Sequence, residues 1–372
     1  MNYGHLERIP VTLTVKSPLY IGSGEKLTAM EYILDDRNTV YVPSIPAMID
    51  AFSNAWQRGL SDDFLRFIMA PGKSKKLGDF IRQRRLPLNP LPKWVCYTVQ
   101  AQRDIRGMNT FLTFIKNPDG QAYIPGSSIK GALRTALIAL KMDDRTRKGL
   151  WEDLHDPKKD RRMPDLERTL RMLTCSVDDS GRPMNNAVND LLRAIEISDS
   201  AALPADALTV CCRHWLSENG EERQSRSPIY MECLRPGIQT RFYLTVDHSL
   251  WPEGVDAVAI LRQALSEWDA LCHRAHQDYF QHFLGDLGLF DGAPIVLGGG
   301  AGFHRKSLIY KTSDYPEQAA QLAHEVLRRQ FTQRNGRCTY RPPQGAKTAP
   351  YLFKAARFEG AYYPLGVCVL QL

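Results

Sequence analysis

A chain of 372 residues, 43% hydrophobic and 24% charged, is long enough to bury a large core and has the balance of a soluble globular protein. No run of about 20 apolar residues occurs, which excludes a transmembrane helix, and eight cysteines without a CxxC pair read as reduced thiols of a cytoplasmic protein, not as zinc ligands. The formal charge of +7 lies wholly in residues 58–106, where eleven Lys and Arg face four Asp; the other residues balance, so a polyanion partner or a solvated basic face is expected there.

The start, MNYGHLERIPVTLTV, carries Glu7, Arg8 and Pro10 where a leader needs an unbroken apolar stretch, so no targeting segment is expected. Val11, Leu13 and Val15 alternate with polar residues and predict a half-buried strand. It runs into SPLYIGSGE, read as a loop. Glu31–Leu34 and Thr39–Val42 flank Asp35-Asp36-Arg37-Asn38 as a hairpin, and Ile45, Ile49, Phe52 and Trp56 then mark one side of a helix. Thr110–Ile115 is the next strand, Asn117-Pro118-Asp119-Gly120 a turn, and Ala122–Ile124 extended chain. After Pro125 the period changes: Ile129, Leu133, Leu137 and Leu140 share one helical face.

That helix opens with GSSIKGALR. With Ser127 or Ser128 as N-cap, the free N–H groups of its first turn beside Lys130 and Arg134 form a seat for an anion; the plainer reading is a capped helix with a solvated lysine. TVYVPSIPAMIDAF at 39–52 and QAYIPGSSIKGAL at 121–133 both run strand, proline, turn, helix, a weak internal duplication of which one copy keeps the seat.

Residues 141–186 are polar and read as a helical insertion. Leu192–Asp199 is a strand, and Tyr230–Cys233 pairs with Arg241–Val246 around Arg235-Pro236-Gly237. Val255–Leu284 reads as one long helix with Val258, Leu261, Leu265, Trp268 and Cys272 buried. Ile295–Leu297 leads into Gly298, Gly299, Gly300 and Gly302, then His304, Arg305 and Lys306. A loop without Cβ atoms lets a phosphate approach the backbone while the cations neutralise it; a hinge or tight turn is the alternative. Neither GxxxxGK[ST] nor GxGxxG occurs in the required setting, so no nucleotide cofactor is expected. A helix at about 316–331, a Pro/Gly/basic loop at 334–350 and a strand near Leu365–Leu370 complete the chain.

Without the insertions the order is strand, helix, strand, strand, helix, strand. The expected fold class is α+β with a ferredoxin-like, RRM-like βαββαβ core, or two such halves if the duplication is real. The expected division is a core at 1–310, with a basic insertion at 58–106 and a helical one at 141–186, followed by a C-terminal helix, basic loop and strand at 311–372 packed on it.

SPLYIGSGE, YIPGSSIKGALRTAL, EISDS at 196–200, YMECLRPGIQTRFYLTVD, GGGAG and YYPLGVCVLQL together resemble the RAMP superfamily of CRISPR effector proteins, in family order over most of the chain. The likeness is to the type III-A Csm subunit at the 3′ end of the guide RNA. It implies a non-catalytic crRNA-binding and assembly subunit that caps the filament and supports 3′-end maturation. Its implied partners are crRNA, target RNA, other Csm subunits, above all the RAMP backbone subunits, and host 3′-trimming nucleases. The resemblance places Gly22 and Ser23, then Gly126, Ser127, Ser128, Lys130 and Arg134, then Gly298–Gly302 with Arg305 near the RNA.

Tyr20, Tyr41 and Phe303 are candidates to stack on bases. Neither metal nor cofactor is expected. The cleaving aspartate of sister subunits has no counterpart, because Asp35 and Asp36 read as turn residues. Two other readings stay open: a metal-independent CRISPR repeat endoribonuclease using His304, and a scaffold that touches protein only. His273, His276 and His282 on one helix are read as ordinary surface histidines.

Overall fold

In the computed structural model the described residues are 2–54, 59–70, 75–103, 105, 107–156, 180, 190–223, 228–333 and 336–372. The expectations for Trp56, and for 141–186 beyond residue 156 apart from residue 180, lie outside them. Strand β1 (Asn2–Tyr3) turns back on β2 (Leu6–Val15), whose alternate residues Val11, Leu13 and Val15 are essentially inaccessible. The chain continues through β3 (Gly22–Thr28), β4 (Ile33–Leu34) and β5 (Thr39–Pro43) to helices α1 (Ile45–Ser53), α2 (Leu60–Met69) and α3 (Leu77–Gln83). After β6 (Val95–Ala101) and β7 (Thr110–Phe114) come α4 (Gly126–Lys141) and α5 (Asp144–His155). Strands β8 (Ile195–Ile197), β9 (Leu208–Leu216), β10 (Ile229–Leu234) and β11 (Gln239–Asp247) lead to α6 (Ala257–Ala275) and β12 (Ala293–Val296). The end comprises α7 (Pro316–Gln330), β13 (Phe353–Phe358), β14 (Ala361–Pro364) and β15 (Val367–Gln371).

Two sheets form. The first has the order β12-β15-β2-β11-β8 with every neighbour antiparallel, so the last strand of the chain lies beside the first long one. Its core joins Leu13 and Phe242 to Leu133 and Leu137 of α4 and to Leu261 and Leu265 of α6, two helices that pack on each other. At about 1.5–3 kcal/mol for each fully buried large aliphatic side chain, this face contributes more than the strand hydrogen bonds can net.

The second sheet runs β3-β7-β10-β9-β6-β5-β4, with the β13–β14 hairpin extending from the far half of β9. Much of it was not anticipated. The expected hairpin around Arg235-Pro236-Gly237 does not form: β10 pairs with β7 and β9 in the second sheet, whereas β11 pairs with β2 and β8 in the first. The chain crosses between the sheets there because Leu234 exchanges backbone bonds with Leu19, and Gly237 donates to Val15. SPLYIGSGE is not all loop either, since Gly22 begins edge strand β3.

The helices of the 58–106 region pack with α1 around a separate small core of Met48, Phe52, Phe64, Leu77, Phe80 and Trp94. Part of the basic excess there is internally matched. Arg84 meets Asp63 at 2.6 Å, Arg82 meets Asp79 at 2.5 Å, and the Lys75 ammonium caps the Phe67 carbonyl at 2.9 Å. On the outer side of α2, Leu65, Ile68 and Met69 remain exposed, Met69 at 80%.

Candidate nucleic-acid interface

Strands β2, β8 and β12 run in the same direction in the first sheet, but β2 and β12 finish side by side while β8 finishes opposite Leu244, level with Ile9 of β2, so the three predicted segments are not gathered at one end. They do not meet at one point. The helix start precedes β8 in the chain and packs on the residues just after it, whereas the glycine loop follows β12, at opposite edges four strand spacings apart, roughly 19 Å across the sheet, with the stagger along the strands added to that.

At the helix start, the N-cap is Pro125 and not a serine. The Gly126 N–H is taken by Asp199, from the EISDS stretch, at 2.8 Å, and Ser200 accepts the Ile124 N–H at 2.9 Å. A Cβ on Gly126 would overlap the Ile197 carbonyl, so this glycine admits a crossing strand. Lys130 bonds the Ile195 carbonyl at 2.7 Å, and Arg134 is half-buried with interactions of its own. Ser127 is exposed and Ser128 half-buried. The anion seat imagined from the sequence is thus partly filled by the protein's own carboxylate.

The glycine loop meets the loop after β2. Gly299 donates to the Tyr20 carbonyl at 2.9 Å, Gly366 donates to Pro18 at 2.9 Å, and Leu297 donates to Gly366 at 2.9 Å. At Gly298 and Gly300 a Cβ would overlap the carbonyls of Tyr20 and Leu365, so the glycines serve a three-way backbone crossing. Gly302 follows with φ +66°. Gly22 and Ser23 are exposed next door, and the Ser23 hydroxyl is 2.6 Å from that of Thr113.

Two of the three residues expected to offer charge beside the loop are enclosed. Arg305, 7% exposed, pairs with Asp269 and donates to Gln277 at 3.1 Å, so its charge is spent internally. His304, 8% exposed, stacks on His276 with ring centres 4.1 Å apart. Burial first, then His276 and Arg305, hold its pKa well below the usual histidine value, a poor setting for a general acid at neutral pH. Lys306 alone is exposed. His276 ends α6, where the expected long helix breaks into a 3-10 turn, Gln277–Phe283, and the three histidines no longer share a helix.

A charge cluster that sequence reading missed stands beside this crossing. Arg213 and Trp215 of β9 share a face with Lys354 of β13, because Trp215 pairs with Lys354 and Arg213 with Ala356. The Arg213 guanidinium and the Lys354 ammonium lie 5.0 and 5.6 Å from the Trp215 ring centre. Burial first, then the charges of Arg213 and Lys306, lower the Lys354 pKa. Among the described residues, none of these three cations has a carboxylate partner, and the buried Arg213 Nε has no hydrogen-bond partner. Like charges held together without counter-ions are the arrangement an anionic ligand stabilises. Tyr20, half-buried, lies against this side; Phe303 is half-buried, and Tyr41 is spent on Asp35 at 3.1 Å. Asp35 also accepts the Arg37 and Thr39 N–H groups, as a turn residue does.

An α+β chain with two sheets, a backbone crossing built on glycines and a cation cluster free of carboxylates matches a known superfamily. The RAMP superfamily model covers residues 12–303, and the chain belongs to that superfamily. Within it the chain is most like the fifth subunit of the type III-A Csm complex. It is 26% identical to the CRISPR system Cms protein Csm5 of Mycobacterium tuberculosis (strain CDC 1551 / Oshkosh), over 99% of this chain and 98% of that protein. To the Csm5 protein of Enterococcus italicus it is 23% identical, over 97% and 96%. The fold is also that of the crystal structure of T.onnurineus Csm5, with TM-score 0.61 and 20% identity over 96% of this chain and 99% of that one. A chain of a cryo-EM structure of a Csm-crRNA-target RNA ternary complex gives TM-score 0.66 and 19% identity over 97% and 99%.

Proposed function

We propose that this chain is a non-catalytic crRNA-binding and assembly subunit of a type III-A CRISPR interference complex, which caps the RAMP filament at the crRNA 3′ end and supports maturation of that end. The observation that carries the RNA-binding part is the cluster of Arg213, Lys354 and Lys306, without carboxylates, beside the glycine loop. Gly22 and Ser23 offer exposed backbone and hydroxyl groups beside the glycine loop, and Ser127 offers a further exposed hydroxyl at the helix start. Support for assembly comes from the exposed Leu65, Ile68 and Met69 on α2, an apolar stripe suited to a neighbouring RAMP subunit.

The core is read as ferredoxin-like. β2, α4, β8, β11, α6 and β15 follow one another as βαββαβ in the order β15-β2-β11-β8, and β12 adds an edge. This core and the helical 58–106 insertion are read as parts of one domain closed by the C-terminal segment. Target RNA and host 3′-trimming nucleases are partners of the assembled complex in this reading.

The test is reconstitution of the complex with its sister subunits and crRNA. An Arg213→Gln/Lys306→Gln variant is expected to enter the complex yet retain less crRNA, with altered 3′ ends on sequencing. Unchanged retention and unchanged ends would leave the protein-only scaffold as the better reading.

A further inference from the structure

Next to the cation cluster, between the glycine loop, the end of α7 and β13, lies a cavity of about 370 Å³. Six aromatic side chains line it: Trp215, Phe303, Phe331, Tyr340, Tyr351 and Phe353. No Asp or Glu lines it among the described residues, and Lys354 and Trp215 belong both to the cavity and to the cluster. The size falls at the small end of ligand pockets, roughly 300–1,000 Å³.

Its wall contains an unmet hydrogen-bonding group. His276, 1% exposed, is bonded through Nε2 to the Pro350 carbonyl at 2.8 Å. A carbonyl only accepts, so Nε2 carries the proton. Burial then keeps the ring neutral, which leaves Nδ1 as a lone-pair acceptor. That atom is buried and has no partner among the described residues. His276 lines the cavity, so its wall is polar there as well as aromatic.

We propose that this cavity takes the base of one unstacked nucleotide of a single RNA strand, with its phosphate held by Arg213, Lys354 and Lys306 at the mouth. Flat aromatic walls suit any base, and three cations without carboxylate partners among the described residues, beside a largely apolar hole, match a nucleotide's two ends. The assignment rests on the RNA-binding reading above and adds that one nucleotide is bound differently from its neighbours.

Abasic scanning tests it. The full chain is titrated with single-stranded oligoribonucleotides, each lacking one base at a successive position. One position is expected to weaken binding about 5- to 100-fold, the worth of one stacked base, and the others little. Phe331→Ala at the cavity mouth should abolish that position dependence, and Gln330→Trp, from the exposed face of α7, should do the same by filling the mouth. Arg213→Gln should weaken all the oligonucleotides alike. Tight binding with a flat abasic profile, or a profile indifferent to both mouth variants, overturns the pocket and leaves the RNA-binding reading standing. Absence of RNA binding altogether overturns both.

Discussion

Replacing Lys354 by Met separates a binding charge from a structural one, because the two roles predict opposite signs. Arg213 and Lys354 are diagonal neighbours across β9 and β13, positions roughly 7 Å apart on an antiparallel ladder, and both charges lie over the Trp215 ring. Two like charges at about 7 Å repel by roughly 0.6 kcal/mol in water and roughly 2.4 at an effective dielectric of 20, so about 1 kcal/mol suits this half-buried pair. Methionine keeps a stem on Trp215 but forfeits its share of cation–π attraction, about 0.5 kcal/mol. The free protein is therefore expected to gain about 0.5 kcal/mol, a rise in Tm of about 0.6 °C for a chain of this length.

RNA binding should move the other way. Losing one phosphate contact lowers the slope of log K against log salt by about 0.7 for a single strand, about a 2.5-fold effect between 50 and 200 mM. The pH dependence follows from the lowered Lys354 pKa. Between that value and 10.5 the unfolded chain binds more protons than the folded one, so the wild type gains stability as pH rises there, and the Met variant lacks that gain. Fluorescence titrations at two salt concentrations and calorimetric melting read both arms. A fall in Tm with an unchanged salt slope would make Lys354 a structural residue and refute the reasoning.

Glu232, fully buried in the second sheet, accepts from Tyr97 at 2.8 Å, from the Phe114 N–H at 2.9 Å and from Lys116 at 2.5 Å. Glu232→Gln strands the Lys116 charge, which is 15% exposed, and should cost about 3 kcal/mol in urea unfolding, partly restored by Lys116→Met in the same chain; a change under about 0.5 kcal/mol contradicts the account. Burial pushes the His276 pKa down to about 4. The unfolded chain, titrating near 6.5, binds the extra proton first, so stability falls as pH drops from 6.5 towards 4, by up to about 3 kcal/mol. His304, also held below its usual value, contributes in the same direction, so His276→Phe should lose a constant amount through the missing bond to Pro350 and make the profile less steep without flattening it, and an equally steep profile in the variant would contradict the account.

What the sequence alone determined is whatever depends on near neighbours in the chain. The alternation of Val11, Leu13 and Val15 marked β2, and Ile129, Leu133 and Leu137 marked the buried face of α4, because a strand or helix turns each residue by a fixed angle. The glycines of 298–302 were recognisable as a place where backbones approach; which backbone approaches was not, and it proved to be the chain's own at Tyr20 and Leu365. LTVCCRHWL at 208–216 carried a strand signal of β-branched and apolar residues that was passed over, and with it went half of the second sheet.

Only the tertiary structure decided the pairing of β10 and β11 with different sheets, the capture of Gly126 by Asp199, and the burial of His304 and Arg305. It alone joined Arg213 to Lys354, 141 residues apart in sequence, through the ladder of β9 with β13. Local periodicity says which side of an element faces inward. Which distant element it faces is set by the hydrogen-bond ladder and the shared core, and charge, burial and pKa at the site follow from that choice.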